Sequence, residues 1–120
     1  MSFPRRGEIY LVTFDPALGH EIKKTRPGLV IQNDIGNRHS SVTIVAAITS
    51  KLSTVPYPID VTVPPTKGNG LSVESAVQLG QIRSIDARRL VKRLGVLDPV
   101  TMQRVDEAIK ISLGLLPLSK

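Results

Sequence analysis

The chain contains no cysteine and no tryptophan. Without thiols there is no disulfide framework and no zinc site built on thiolates, a composition that suits a cytoplasmic protein. Aromatic residues make up 3% of the chain, namely Phe3, Tyr10, Phe14 and Tyr57. Many single-strand binders stack successive bases on exposed rings, so a nucleic-acid partner here has to be recognised through phosphates, base edges and backbone groups. No apolar run approaches the ~18 residues of a membrane-spanning helix. No hydrophobic signal-peptide core follows the N-terminal Met-Ser-Phe-Pro-Arg-Arg, so no membrane association is expected. Repeats, low-complexity segments and linkers are also missing, and 120 residues read as a single domain, 1–120, with a modest core.

What is present is positive charge. Lys and Arg number 16 against 10 Asp and Glu, a formal charge of +6. Such an excess in a small domain favours an anionic partner, nucleic acid first. A solvated basic surface that only aids solubility is the plainer alternative.

Short apolar runs alternate with turn residues up to about residue 97. Gly7 to Phe14 reads as a strand buried on both faces, and Asp15-Pro16 ends it. Gly28 to Gln32 reads as a strand, Asn33 to Asn37 as a turn, and Val42 to Thr49 as a strand rich in β-branched residues. Ile59, Val61 and Val63 alternate with Asp60 and Thr62, the signature of a half-exposed strand. Pro64-Pro65 stops it, and residues 67–70 read as a turn. Ser75 to Ile82 and Leu90 to Val96 complete the strands. Asp98 then caps a helix with Pro99 in its first position. Met102, Val105, Ala108, Ile109, Ser112 and Leu113 share one side of it, and Gly114 stops it. The pattern predicts a mainly β domain with a C-terminal helix: six or seven short strands curled into a small, partly open barrel.

One stretch concentrates chemistry. Residues 19–27, Gly-His-Glu-Ile-Lys-Lys-Thr-Arg-Pro, form a charged loop that ends at Arg26. Pro27 pushes Arg26 out of the helical region, which fixes its guanidinium at a strand entrance. A planar, permanently charged guanidinium can hold two phosphate oxygens at once. A surface ion pair with Glu21 or Asp34 is the alternative use. Lys23, Lys24, Lys51 and Lys67 could line an RNA groove beside it, and so could Arg83. Gln81 can both donate and accept, which suits reading base edges. Arg88, Arg89, Lys92 and Arg93 form a second basic cluster, better read as a solvated surface. No carboxylate or histidine spacing points to a metal, and no cofactor is expected.

Several segments together resemble the MazF/PemK toxin endoribonucleases. These are residues 7–16 (GEIYLVTFDP), 19–21 (GHE), 24–34 (KTRPGLVIQND), 45–49 (VAAIT), 81–86 (QIRSID) and 105–108 (VDEA), in that order across nearly the whole chain. The resemblance implies an SH3-like barrel shared with the CcdB toxins and a homodimer with a groove near its interface. It implies a toxin of a type II toxin-antitoxin pair that cleaves single-stranded RNA without a metal. The ends would be a 2′,3′-cyclic phosphate and a 5′-hydroxyl, with Arg26 and Thr49 as the active site. His20, Glu21, Lys23, Lys24, Gln81 and Arg83 would bind RNA. A MazE-like antitoxin with an acidic, flexible tail would occupy the basic groove.

Arginine, with a pKa above ~12, is a poor general base. A free imidazole changes charge near neutral pH, which makes His20 the candidate for proton transfer. Some relatives carry a glutamate immediately before the glutamine; here that residue is Gly80, a change that bears on the preferred RNA sequence. Two other readings remain open at this point. One is a CcdB-like inhibitor of DNA gyrase, a function tied to a C-terminal Trp-Gly-Ile that this sequence lacks. The other is a non-catalytic RNA-binding relative.

Overall fold

The computed structural model describes residues 2–14, 25–55 and 57–117. Six strands, β1 (Glu8–Thr13), β2 (Thr25–Val30), β3 (Val42–Thr49), β4 (Asp60–Val63), β5 (Ser75–Asp86) and β6 (Leu90–Val96), form one antiparallel sheet in the order β4-β5-β3-β2-β1-β6. A short helix α1 (Asp34–His39) joins β2 to β3, and helix α2 (Pro99–Ser112) follows β6.

The main core lies between one face of the sheet and α2. Ile9, Leu29, Ile48, Val77 and Leu79 meet Val105 and Ala108 of the helix, all buried. A smaller cluster of Val12, Val30, Val45 and Ile85 sits apart, with Tyr10, Phe14 and Leu90 packed against it. Having apolar neighbours on both sides is what makes β1 read as continuously hydrophobic rather than alternating.

The expected partly open barrel is realised as an open sheet. Among the described residues no ladder joins the edge strands β4 and β6. A turn bridges them instead: the Val96 N–H donates to the Gly68 carbonyl at 2.8 Å. The approach is close enough that a Cβ on Gly95 would collide with the Gly68 carbonyl, and one on Gly70 with the Leu94 carbonyl. Gly70 also has φ +71°, a left-handed conformation that glycine adopts without strain.

Three further expectations need correction. The run 33–37 is a capped helix rather than a turn. The Asn33 side chain accepts from the Gly36 N–H at 2.8 Å, and buried Asn37 anchors the helix by accepting from the Thr43 hydroxyl at 2.6 Å. Residues that favour turns favour N-caps for the same reason, a short side chain that bonds nearby backbone. β5 continues past Ile82 to Asp86, with a bulge where β3 passes from Ala46 opposite Ile82 to Ala47 opposite Gln78. The Leu79 N–H within that bulge turns to the Ile59 carbonyl at 2.9 Å. Finally, Leu113 is exposed, because α2 ends at Ser112 and the chain turns away through Gly114 at φ +78°. The Asp98 cap, Pro99 and the buried side of α2 are otherwise as the sequence reads.

Candidate nucleic-acid interface and active site

Arg26 is the second residue of β2 and Thr49 the last of β3. These strands pair antiparallel with Gly28 opposite Ala47. The paired stretch ends there; Arg26 lies across from Val12 of β1 and Thr49 across from Ala76 of β5. Arg26 and Thr49 both line a groove of about 460 Å³ at this end of the sheet. Leu11, Pro27, Ile48, Leu71 and Leu94 make its apolar floor, and Arg26, Thr49, Ser50 and Lys51 its polar rim. Ser72 and Val73 supply a further wall.

The two rim groups are poised differently. Arg26 is exposed, and no hydrogen bond or ion pair occupies it among the described residues. Asp34, one of its two alternative partners, is engaged elsewhere: it accepts the Arg6 N–H at 2.7 Å and an Asn37 amide N–H at 3.2 Å. The first of these bonds is the main reason its carboxyl is held below its ordinary range. The Thr49 hydroxyl accepts the Lys51 N–H at 3.1 Å. A hydroxyl has one donor hydrogen besides its acceptor lone pairs, so this bond orients the oxygen and leaves its O–H to donate to a ligand.

Charge in the groove has one sign. Among the described residues its charged lining groups are Arg26 and Lys51, with no carboxylate. This described lining attracts anions. A guanidinium and a hydroxyl donor on facing strands can hold two non-bridging oxygens of one phosphodiester and stabilise charge that develops on them.

The remaining candidates are distributed unevenly. His20, Glu21, Lys23 and Lys24 lie outside the described residues. Gln81 is exposed in the β5 bulge, and Arg83 is exposed further along the same strand, in register with Val45. Neither lines the groove. Arg83 lies over the Phe14 ring, 5.8 Å from its centroid. That ring packs so closely over Gly28 that a Cβ there would approach it to 3.1 Å. Lys51 joins the rim as the sequence allows, whereas Lys67 does not.

The second basic cluster is largely engaged in local contacts. Arg88 pairs with Asp86 at 3.0 Å and holds its carboxyl down to about 2. Arg93 pairs with Glu8 at 2.7 Å, and Arg89 donates to the Thr13 carbonyl at 3.2 Å. Sequence reasoning missed Ser50, Leu71, Ser72 and Val73. No local signal marks them, because the turn that grips β6 is what carries residues 71–73 across to the end of β2.

Comparison with known proteins bears on the family and the fold. The family model described as PemK-like, MazF-like toxin of type II toxin-antitoxin system matches residues 5–113. The chain is 44% identical over 112 residues to Endoribonuclease EndoA of Bacillus subtilis, covering 93% of this chain and 96% of that protein. Its fold is similar to that of MazF from Deinococcus radiodurans, with TM-score 0.76 and 26% identity over 95% of this chain and 99% of the other. It is similar again to a MazE-MazF structure from the same organism, with TM-score 0.78 and 27% identity over 94% and 97% of the two chains. With the family model spanning nearly the whole sheet and both helices, this chain belongs to the PemK-like, MazF-like toxins of type II toxin-antitoxin systems.

Proposed function

We propose that this toxin is a metal-independent, sequence-specific endoribonuclease that cleaves single-stranded RNA, messenger RNA included, and so inhibits translation and growth. The observation that carries this reading is the convergence of Arg26 and Thr49, from two neighbouring strands, on one groove whose charged lining among the described residues is cationic. The 44% identity to a protein named an endoribonuclease supports the same chemistry.

In this reaction the ribose 2′-oxygen attacks phosphorus and the P–O5′ bond breaks. The 2′-hydroxyl loses its proton and the 5′-oxygen gains one. The products are a 2′,3′-cyclic phosphate and a 5′-hydroxyl. Arg26 neutralises charge on the crowded phosphate, the task that usually supplies the largest share of such catalysis. Thr49 donates its O–H to a second phosphate oxygen. His20 is the candidate for moving protons, since a guanidinium titrates far too high to serve. Glu21, Lys23 and Lys24, a few positions before Arg26 in the sequence, bind RNA together with His20, and Gln81 and Arg83 extend RNA contacts along β5.

The chain acts as a single domain, 1–120, in the cytoplasm. Two copies form a homodimer, which would cover open sheet edges. The cognate antitoxin binds with an acidic, flexible segment in the cationic groove, in keeping with the MazE-MazF structures this fold resembles. The test is incubation of purified protein with a long single-stranded RNA in excess EDTA, alongside Arg26→Ala, with the cut ends mapped. Discrete cuts ending in cyclic phosphate, absent in the variant, are expected. A folded protein that binds RNA and leaves it intact would refute the proposal.

A further inference from the structure

The groove beside Arg26 and Thr49 separates charge from greasiness. Cations and hydroxyls stand on its rim, and its floor is aliphatic, with no aromatic side chain among the described lining residues. The wall formed by residues 72 and 73 is held from two sides. Gly70 is pressed against the Leu94 carbonyl of β6, and the buried Ser75 hydroxyl donates to the Val73 carbonyl at 2.9 Å. Val73 is nevertheless half exposed, at 50%. A large apolar side chain that a braced loop holds open beside a phosphate clamp has the form of a contact surface.

A nucleotide matches this division, with its anionic phosphate joined by a short sugar to a flat, largely apolar base. We infer that the floor seats the base of one nucleotide next to the phosphate held by Arg26, and that Val73 and Ser72 determine which base fits. The inference rests on the endoribonuclease reading and names part of its specificity. An acidic peptide would satisfy the charge as well. A guanidinium paired with a separate hydroxyl donor, however, suits the divergent oxygens of a tetrahedral phosphodiester better than a planar carboxylate, which arginine meets alone. Among the described lining residues the base is discriminated by size against Leu71, Val73 and Leu94 and by its edge against the Ser72 and Ser50 hydroxyls.

The experiment maps cleavage sites on one long single-stranded RNA for wild type, Val73→Trp, Val73→Ala and Ser72→Ala, with folding checked by circular dichroism. Val73→Trp fills the slot. It is expected to shift preference at one position beside the cut toward the smaller pyrimidines by roughly tenfold or more, leaving the other positions unchanged. Val73→Ala and Ser72→Ala should relax discrimination at that same position, and they keep the test open if the tryptophan variant fails to fold. An identical recognition sequence in every folded variant, or a loss spread evenly over all sites, would overturn the inference while leaving the endoribonuclease intact. Unchanged cleavage together with weaker binding of a synthetic Asp/Glu-rich peptide carrying one leucine would assign the slot to a protein partner and also overturn it. If wild type makes no cuts, both readings fall.

Discussion

Removing the Thr49 hydroxyl while keeping its shape is the most informative single perturbation. Thr49→Val retains β-branching at the end of β3, so the strand loses little. The structure gives the hydroxyl two separable tasks. Its oxygen accepts the Lys51 N–H at 3.1 Å at an exposed position. Losing that bond costs about 0.5–1.5 kcal/mol at most, because water replaces it. Its O–H is the donor proposed for the phosphate, and deleting one preorganised donor to a developing oxyanion costs about 2.7–4 kcal/mol, or roughly 10²–10³ in kcat. Single-turnover cleavage of a short oligoribonucleotide reads the second task, and thermal unfolding reads the first. The expected result is a rate reduced by roughly two to three orders of magnitude with Tm lowered by no more than about 6 °C. Thr49→Ser should recover most of the rate. A valine variant that cuts within about threefold of wild type would refute the role given to Thr49. So would a serine variant as slow as the valine one.

Three more expectations concern stability and proton transfer. Asn37→Ala removes the acceptor of the fully buried Thr43 hydroxyl and a bond from Gln32 at 2.9 Å. It should cost about 2–4 kcal/mol in urea unfolding, since a buried hydroxyl is left unpaired; Asn37→Ala combined with Thr43→Val should lose less than the sum. Asp34, Asp86 and Asp98 all titrate below their ordinary value of 3.8 in the folded chain. Their contributions are therefore full above that value and are lost as pH falls through the folded ones, while Asp60, raised by burial, works in the opposite direction. Tm should fall as pH drops from 5 toward 2, less steeply in Asp34→Asn. His20→Ala should abolish one limb of the pH–rate profile for RNA cleavage between pH 5 and 9; a profile of unchanged shape removes His20 from the mechanism.

The fold was legible wherever local physics decides. Val42 to Thr49 and Leu90 to Val96 are β-rich runs between turn formers, and both strands appear with those bounds. Asp98-Pro99 opens α2 because a side-chain acceptor and a residue without an N–H both suit a helix start. Legibility failed where tertiary contacts choose between local options. Asn33 could begin a turn or a helix, and burial of Asn37 beside Thr43 selected the helix. Residues 83–86, Arg-Ser-Ile-Asp, hold one apolar residue and give no strand pattern of their own, yet eight residues of β3 pair along β5 and extend it to Asp86.

The site divides in the same way. Pro27 after Arg26 and a run of charged residues before it mark the arginine in the sequence, since proline restricts its neighbour whatever the fold. Thr49 is legible only as a strand end. That it shares a groove with Arg26 depends on pairing between strands whose partners, Gly28 with Ala47 through Val30 with Val45, are distant along the chain. The groove floor and the Ser72–Val73 wall depend on Gly70 and Gly95 letting two backbones touch. Side-chain chemistry and local backbone preference are written residue by residue, so the sequence by itself determined the strands, the cap, the basic charge and the arginine. Close approach between distant segments depends on how the whole sheet curls, so the tertiary structure alone decided that Arg26, Thr49, Lys51 and Val73 share one groove.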